Sequence, residues 1–75
     1  MRMRDVVMSL KPGDIHRFVG KACIIEVMAT GYGMYDVYLL DKETMLFRTG
    51  VQNMPLDYTV GYVEGADNVM THFIK

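Results

Sequence analysis

Leu10-Lys11-Pro12-Gly13-Asp14-Ile15, with Gly20-Lys21 soon after it, is the stretch that divides this chain into its structural parts. Proline presets one turn dihedral, glycine supplies the permissive one, and aspartate can bond the backbone beyond it. The turn separates a segment of helical period from a region of strand character. Before it, Met3, Val6, Val7 and Leu10 fall at i, i+3, i+4 and i+7, one face of a helix of about two turns. So short a helix holds only by packing on the rest of the domain. Met1 and Met3 alternate with Arg2 and Arg4, so an edge strand over residues 1–10 is the competing reading.

After the turn the pattern predicts strands. Residues 15–19 form a first strand, and Gly20-Lys21 turns it. Residues 22–29 carry Cys23, Ile24, Ile25, Val27 and Met28, a nearly continuous apolar run that predicts cover on both faces. Thr30-Gly31-Tyr32-Gly33 is a flexible turn into residues 34–40, where Tyr35, Val37 and Leu39 alternate with Asp36, Tyr38 and Leu40. Asp41-Lys42-Glu43-Thr44 reads as a hairpin turn, residues 45–49 as the returning strand, and Gly50 as a bulge or bend. Gln52-Asn53-Met54-Pro55 is a second break, because Pro55 disfavours a central strand. Residues 57–64 read as another strand, with Tyr58, Val60 and Tyr62 on one face. Gly65-Ala66-Asp67-Asn68 is a loop, and residues 69–74 are a candidate last strand closing the sheet. The expectation is one domain over residues 1–75, α+β or mostly β. Its sheet is a small bent antiparallel one or a barrel of five to six short strands with a short N-terminal helix, since closure removes exposed edges.

Composition narrows the class of function. A chain of 75 residues buries roughly 60% of the surface its unfolded form exposes, which leaves room for one core and little for a deep pocket. Its hydrophobic fraction of 51% is generous for a small monomer and predicts a self-association or partner surface. The net charge of −1 argues against non-specific nucleic-acid binding. Charge is unevenly placed: Arg2, Arg4, Lys11, Arg17 and Lys21 dominate residues 1–21, while carboxylates dominate the rest. The single cysteine, Cys23, precludes an intramolecular disulfide framework and fits a reducing cytoplasm. The N-terminus lacks the apolar stretch of a signal peptide, and no apolar run approaches the roughly 18 residues of a membrane helix. A cytoplasmic, non-membrane protein is expected.

The Leu10 to Ile15 turn, the Val19-Gly20-Lys21 turn and Tyr38-Leu39-Leu40-Asp41 together resemble small SH3-like barrel proteins over roughly residues 10–50. The short, Met-rich chain is similar in look to early proteins of bacterial viruses. The resemblance implies binding rather than catalysis and names no ligand.

No catalytic or metal signature stands out. Cys23 lies in the most apolar strand beside Ile24 and Ile25 and reads as a small core hydrophobe. Ser9, the only serine, lies in the predicted helix, and His16 and His72 are far apart. Neither histidine shows the spacing of a structural zinc site, so no metal or cofactor is expected. Gly31-Tyr32-Gly33 lacks the third glycine and following helix of a dinucleotide loop.

The five tyrosines, Tyr32, Tyr35, Tyr38, Tyr58 and Tyr62, suit recognition, each pairing an apolar body with a polar tip. The eight methionines are adaptable contact residues; Met28, Met45 and Met70 suit core gaps, while Met34 and Met54, beside Gly33 and Pro55, are predicted to be exposed. Tyr32, Met34, Tyr35 and Met54 form the candidate partner-binding patch. The leading expectation is a non-enzymatic protein that binds and inhibits or modulates a protein partner, as a viral or regulatory factor does, with a homodimer within reach. The alternative is a small-molecule or nucleotide-sequestering protein with its pocket at an oligomer interface. A third is a nucleic-acid-binding barrel using Arg2, Arg4, Lys11, Arg17 and Lys21.

Overall fold

The computed structural model describes residues 2–20 and 23–66. The chain runs α1 (Met3–Met8), β1 (Ile15–Val19), β2 (Cys23–Ala29), β3 (Met34–Asp41), β4 (Phe47–Pro55) and α2 (Leu56–Ala66). The four strands form one antiparallel sheet in the order β1-β2-β3-β4, each joined to the next by a hairpin. The α+β expectation holds, and so does the N-terminal helix. Its inward residues are those the spacing picks out: Met3 and Val7 are buried, and Val6 and Leu10 pack beside them. The Arg4 guanidinium reaches Asp57 on α2 at 2.6 Å, an exposed pair that ties the two helices without adding much stability.

The sheet has two unlike faces because side chains alternate along each strand. Phe18, Cys23, Ile25, Val27, Ala29, Tyr35, Val37, Leu39 and Met54 point to one face and join Met3, Val7, Val60 and Val63 from the helices in a single core. The opposite face carries three rows that follow from the register. Val19, Ile24, Leu40 and Phe47 form the first, Arg17, Glu26, Tyr38 and Gly50 the second, and Ile15, Met28 and Asp36 the third. No described element covers this second face. Ile24 on this second face is nonetheless only 7% exposed and Glu26 and Met28 are half-buried, so both sides of β2 are largely shielded from solvent, as the apolar run predicts.

Two expectations are corrected. Residues 57–64 are not a strand but the body of α2, with Thr59, Val60 and Val63 buried. Leu56, Thr59, Val60 and Val63 fall at i, i+3, i+4 and i+7, so the inward face is helical in period. Gln52-Asn53-Met54-Pro55 is not a break but the second half of β4. It stays in the sheet through a bulge. Between the pairs Tyr35–Met54 and Val37–Val51, Gln52 and Asn53 on β4 oppose only Asp36 on β3. Asn53 takes φ 58°, a left-handed conformation that asparagine tolerates, and its N–H donates to the Asp36 carboxylate at 3.0 Å. Pro55 is accommodated as the last residue of an edge strand.

With residues 57–64 helical, the described residues hold four strands rather than five to six. Among the described residues β1 and β4 lie at opposite edges and no barrel closes between them. The candidate strand over residues 69–74 lies outside the described residues. Gly50 does not bulge the strand itself; it pairs with Tyr38, and Arg48 is the additional residue between Thr49 and Phe47.

Candidate functional site

The Pro12-Gly13 turn is fastened to the end of β2, beside the β2–β3 loop. Asp14 N–H donates to the Lys11 carbonyl at 2.8 Å, and Lys11 N–H donates to the Asp14 carboxylate at 3.1 Å. Gly13 takes φ 89°, as the third residue of such a turn must when it is left-handed. Its N–H donates to the Ala29 carbonyl at 2.8 Å, and Ala29 N–H donates to the Asp14 carbonyl at 3.2 Å. The turn is thereby stitched to the last residue of β2.

The loop that follows is closed by Thr30, whose N–H and hydroxyl both donate to the Met34 carbonyl, at 3.0 and 3.1 Å. Gly31 and Gly33 have φ of 112° and 69°, so the residue between them is lifted off the sheet by backbone that favours glycine on both sides. Gly31 also lies against Pro12: a Cβ there would sit 3.5 Å from the proline ring. Tyr32, at the tip, is 91% exposed. Beside it is an open cleft of about 180 Å³ lined by Leu10, Pro12, Ala29, Gly31, Met34 and Tyr35, among others.

The predicted patch is thus divided. Tyr32 is exposed, and Met34 is half-buried and lines the cleft. Tyr35 and Met54 are register partners across β3 and β4, each only 8% exposed, and both belong to the core. The sequence suggested exposure because Gly33 and Pro55 stand near them. The alternation of Tyr35 with Val37 and Leu39 decides otherwise, since all three point to the helix face. Met54, opposite Tyr35, follows it.

The other tyrosines are scattered. Tyr38 lies on the uncovered sheet face, where its hydroxyl donates to Asp36 at 3.2 Å and accepts from Gln52 Nε2 at 3.4 Å. Tyr58 is 72% exposed on α2, and Tyr62 is half-buried one turn later. The two do not form a strand-face pair.

The remaining candidates for chemistry take structural places. Cys23 is buried in the core. The His16 ring meets Phe18 edge-on with centroids 4.5 Å apart. Ser9 donates its hydroxyl to the Val6 carbonyl at 2.7 Å, closing α1. His72 lies outside the described residues, which hold no group of three metal-ligating side chains. Of the five N-terminal cations, Arg4 is held by Asp57 and Arg17 by Glu26, the latter through two bonds of 3.0 and 2.6 Å; Lys21 lies outside the described residues.

Two apolar features went unremarked in the sequence. Leu46 and Phe47 stand exposed at the β3–β4 hairpin, and Ile15 and Val19 on β1; Met45, expected in a core gap, is instead exposed before β4 begins, in a left-handed position of φ 64°. The signal was the run Met45-Leu46-Phe47, which cannot turn every side chain inward on an edge strand. Asp41, which begins that hairpin, accepts N–H bonds from Thr44 and Glu43 at 3.0 and 2.9 Å, and these hold its carboxyl below the ordinary aspartate value.

No helix among the described residues is long and apolar enough to cross a membrane. No protein-family model, no curated protein and no solved structure matches this chain.

Proposed function

We propose that this chain is a non-enzymatic interaction module that captures a protein partner and inhibits or modulates it, with Tyr32 as the anchor. One observation carries the reading: a fully presented tyrosine ring, 91% exposed, at the tip of a loop closed by the two Thr30 bonds to the Met34 carbonyl. Tyrosine gives a large contact area while losing few rotamers, and such residues dominate the energetics of protein interfaces. Met34, Pro12 and the loop backbone line the adjoining cleft, which has room for one partner side chain.

Volume favours a protein partner over a small ligand. The cleft of about 180 Å³ falls short of the roughly 300–1,000 Å³ typical of ligand pockets. Sequestration of a nucleotide would need a second subunit to complete the pocket. Nucleic-acid binding is less favoured, because Arg4 and Arg17 are already neutralised within the chain. A reducing cytoplasm suits a chain with one cysteine, and we place its action there.

The test is affinity capture of the tagged chain from the cytoplasm in which it acts, beside Tyr32→Ala and Met34→Ala. We expect one stoichiometric protein partner, lost with Tyr32→Ala and weakened with Met34→Ala. Capture indifferent to both substitutions refutes the assignment, and a co-purifying small molecule in place of a protein supports sequestration.

A further inference from the structure

The outer edge of β1 carries no partner strand among the described residues. In the β1–β2 ladder, Gly20 N–H donates to the Cys23 carbonyl and Ala29 N–H donates to the Asp14 carbonyl. Antiparallel ladders alternate, and the register is unbroken between these two points. Residues 14, 16, 18 and 20 therefore direct their backbone groups to β2. Ile15, Arg17 and Val19 direct theirs the other way, to an edge that no described strand occupies.

The two edges of the sheet are treated differently. β4 carries two bulges, at Asn53 and Arg48, and ends in Pro55, all of which spoil a template for pairing. β1 has five residues with neither bulge nor proline. Its outward-bonding residues are also those whose side chains lie on the uncovered sheet face, and Ile15 and Val19 are 58% and 50% exposed there.

We propose that a second copy of this chain docks edge to edge on β1, antiparallel and centred on Arg17, so that two four-stranded sheets join into one of eight. The occupant is argued from self-complementarity. A two-fold axis through Arg17 sets Ile15 of one copy beside Val19 of the other, twice over, and covers both exposed apolar residues. It also matches every outward N–H and C=O of Ile15, Arg17 and Val19 with a partner group in the two copies. No other register of β1 on itself matches all three residues. The two Arg17 side chains meet at the axis, but each is already bound to Glu26 of its own sheet. The junction thus holds two cations and two anions rather than a bare like-charge contact. This surface is separate from the Tyr32 loop, and the inference does not depend on the function proposed for that loop.

The test is the mass of the full chain in solution across a dilution series, by sedimentation or light scattering, with amide hydrogen exchange alongside. The expected result is a species of about 17 kDa, twice the 8.6 kDa chain, that dissociates on dilution. The amides of Ile15, Arg17 and Val19 should be protected in the dimer and exchange freely in dilute solution. Arg17→Pro deletes the central outward donor while leaving the bonds to β2, which use residues 16 and 18. Val19→Lys leaves the backbone intact and sets a lysine against Ile15 of the second copy. Each should weaken dimerisation by about tenfold or more, the equivalent of roughly one net hydrogen bond lost, with circular dichroism unchanged for Val19→Lys. An 8.6 kDa species at every concentration overturns the inference, whether those amides exchange freely or are protected by residues beyond Ala66. A dimer that survives Val19→Lys overturns it as well.

Discussion

Alanine at Gly50 is the substitution for which this structure makes the sharpest statement. A Cβ added there would lie 2.8 Å from the Val37 carbonyl oxygen, 3.1 Å from Tyr38 Cδ1 and 3.3 Å from Phe47 Cε1. The nearest of these is backbone of a central strand, and Val37 is fully buried, so it cannot swing aside as a side-chain tip would. The two rings are packed on each other at 6.3 Å between centroids, so moving either disturbs the pair. Overpacking of this kind costs about 1–3 kcal/mol. Restricting the unfolded chain at a former glycine returns about 0.4–1 kcal/mol. The net expectation is a loss of about 1–2 kcal/mol. For a domain of this size that lowers Tm by roughly 5–15 °C.

The same substitution at Gly61 supplies the control. Gly61 is exposed on α2, and a Cβ there meets nothing within 4 Å. In a helix interior alanine is better than glycine by about 1 kcal/mol, so Gly61→Ala should raise Tm by several degrees. Thermal and urea unfolding of the two variants beside the parent chain decide the matter. A Gly50→Ala protein as stable as the parent refutes the crowding argument. A Gly61→Ala protein that loses stability refutes the helix.

Two further outcomes follow from the polar groups. Asp36→Ala strips the carboxylate that accepts from Asn53 N–H and Tyr38 OH, and should cost about 1–3 kcal/mol in urea unfolding, with Asp36→Asn losing less; equal stability of all three proteins would refute the role of Asp36 in holding the β4 bulge. Asp41 should titrate below the ordinary 3.8 in the folded protein, chiefly through the Thr44 N–H and then the Glu43 N–H. Its folded value is depressed, so its contribution to stability is fully present above the unfolded value and is lost as the pH falls through the folded one. Side-chain carboxyl shifts followed by NMR check this, and titration at or above 3.8 would contradict it.

Much of the fold was legible where local chemistry and tertiary packing agree. Pro12-Gly13 forces a turn whatever surrounds it, and Gly31 and Gly33 supply the positive φ of the next. The spacing of Met3, Val6, Val7 and Leu10 and the alternation of Tyr35, Val37 and Leu39 each name their inward face. β1 to β3 and α1 followed from these. α2 was harder to read because two periods overlap in Leu56-Asp57-Tyr58-Thr59-Val60-Gly61-Tyr62-Val63. Tyr58, Val60 and Tyr62 alternate and favour strands intrinsically, and Gly61 weakens a helix. Burial of Leu56, Thr59, Val60 and Val63 against the sheet outweighs both.

The end of β4 was misread for a different reason. Asn53 and Pro55 are turn residues, and only the distant Asp36 carboxylate makes a bulge of them. Tyr32 stands exposed at the tip of the turn that Gly31 and Gly33 mark. Tyr35 and Met54 were misplaced because proximity to a turn was weighted above the strand's alternation.

The measurement that bears most directly on the account is photo-crosslinking from position 32. A photoreactive phenylalanine analogue replaces Tyr32 in one preparation and Tyr58 in another, and each is irradiated in the cytoplasmic extract. Both side chains are aromatic and exposed, at 91% and 72%, but only Tyr32 sits on the β2–β3 loop beside the cleft. The account predicts a single crosslinked protein from position 32 and none from position 58. Identical products from both positions, or none from position 32, would contradict it.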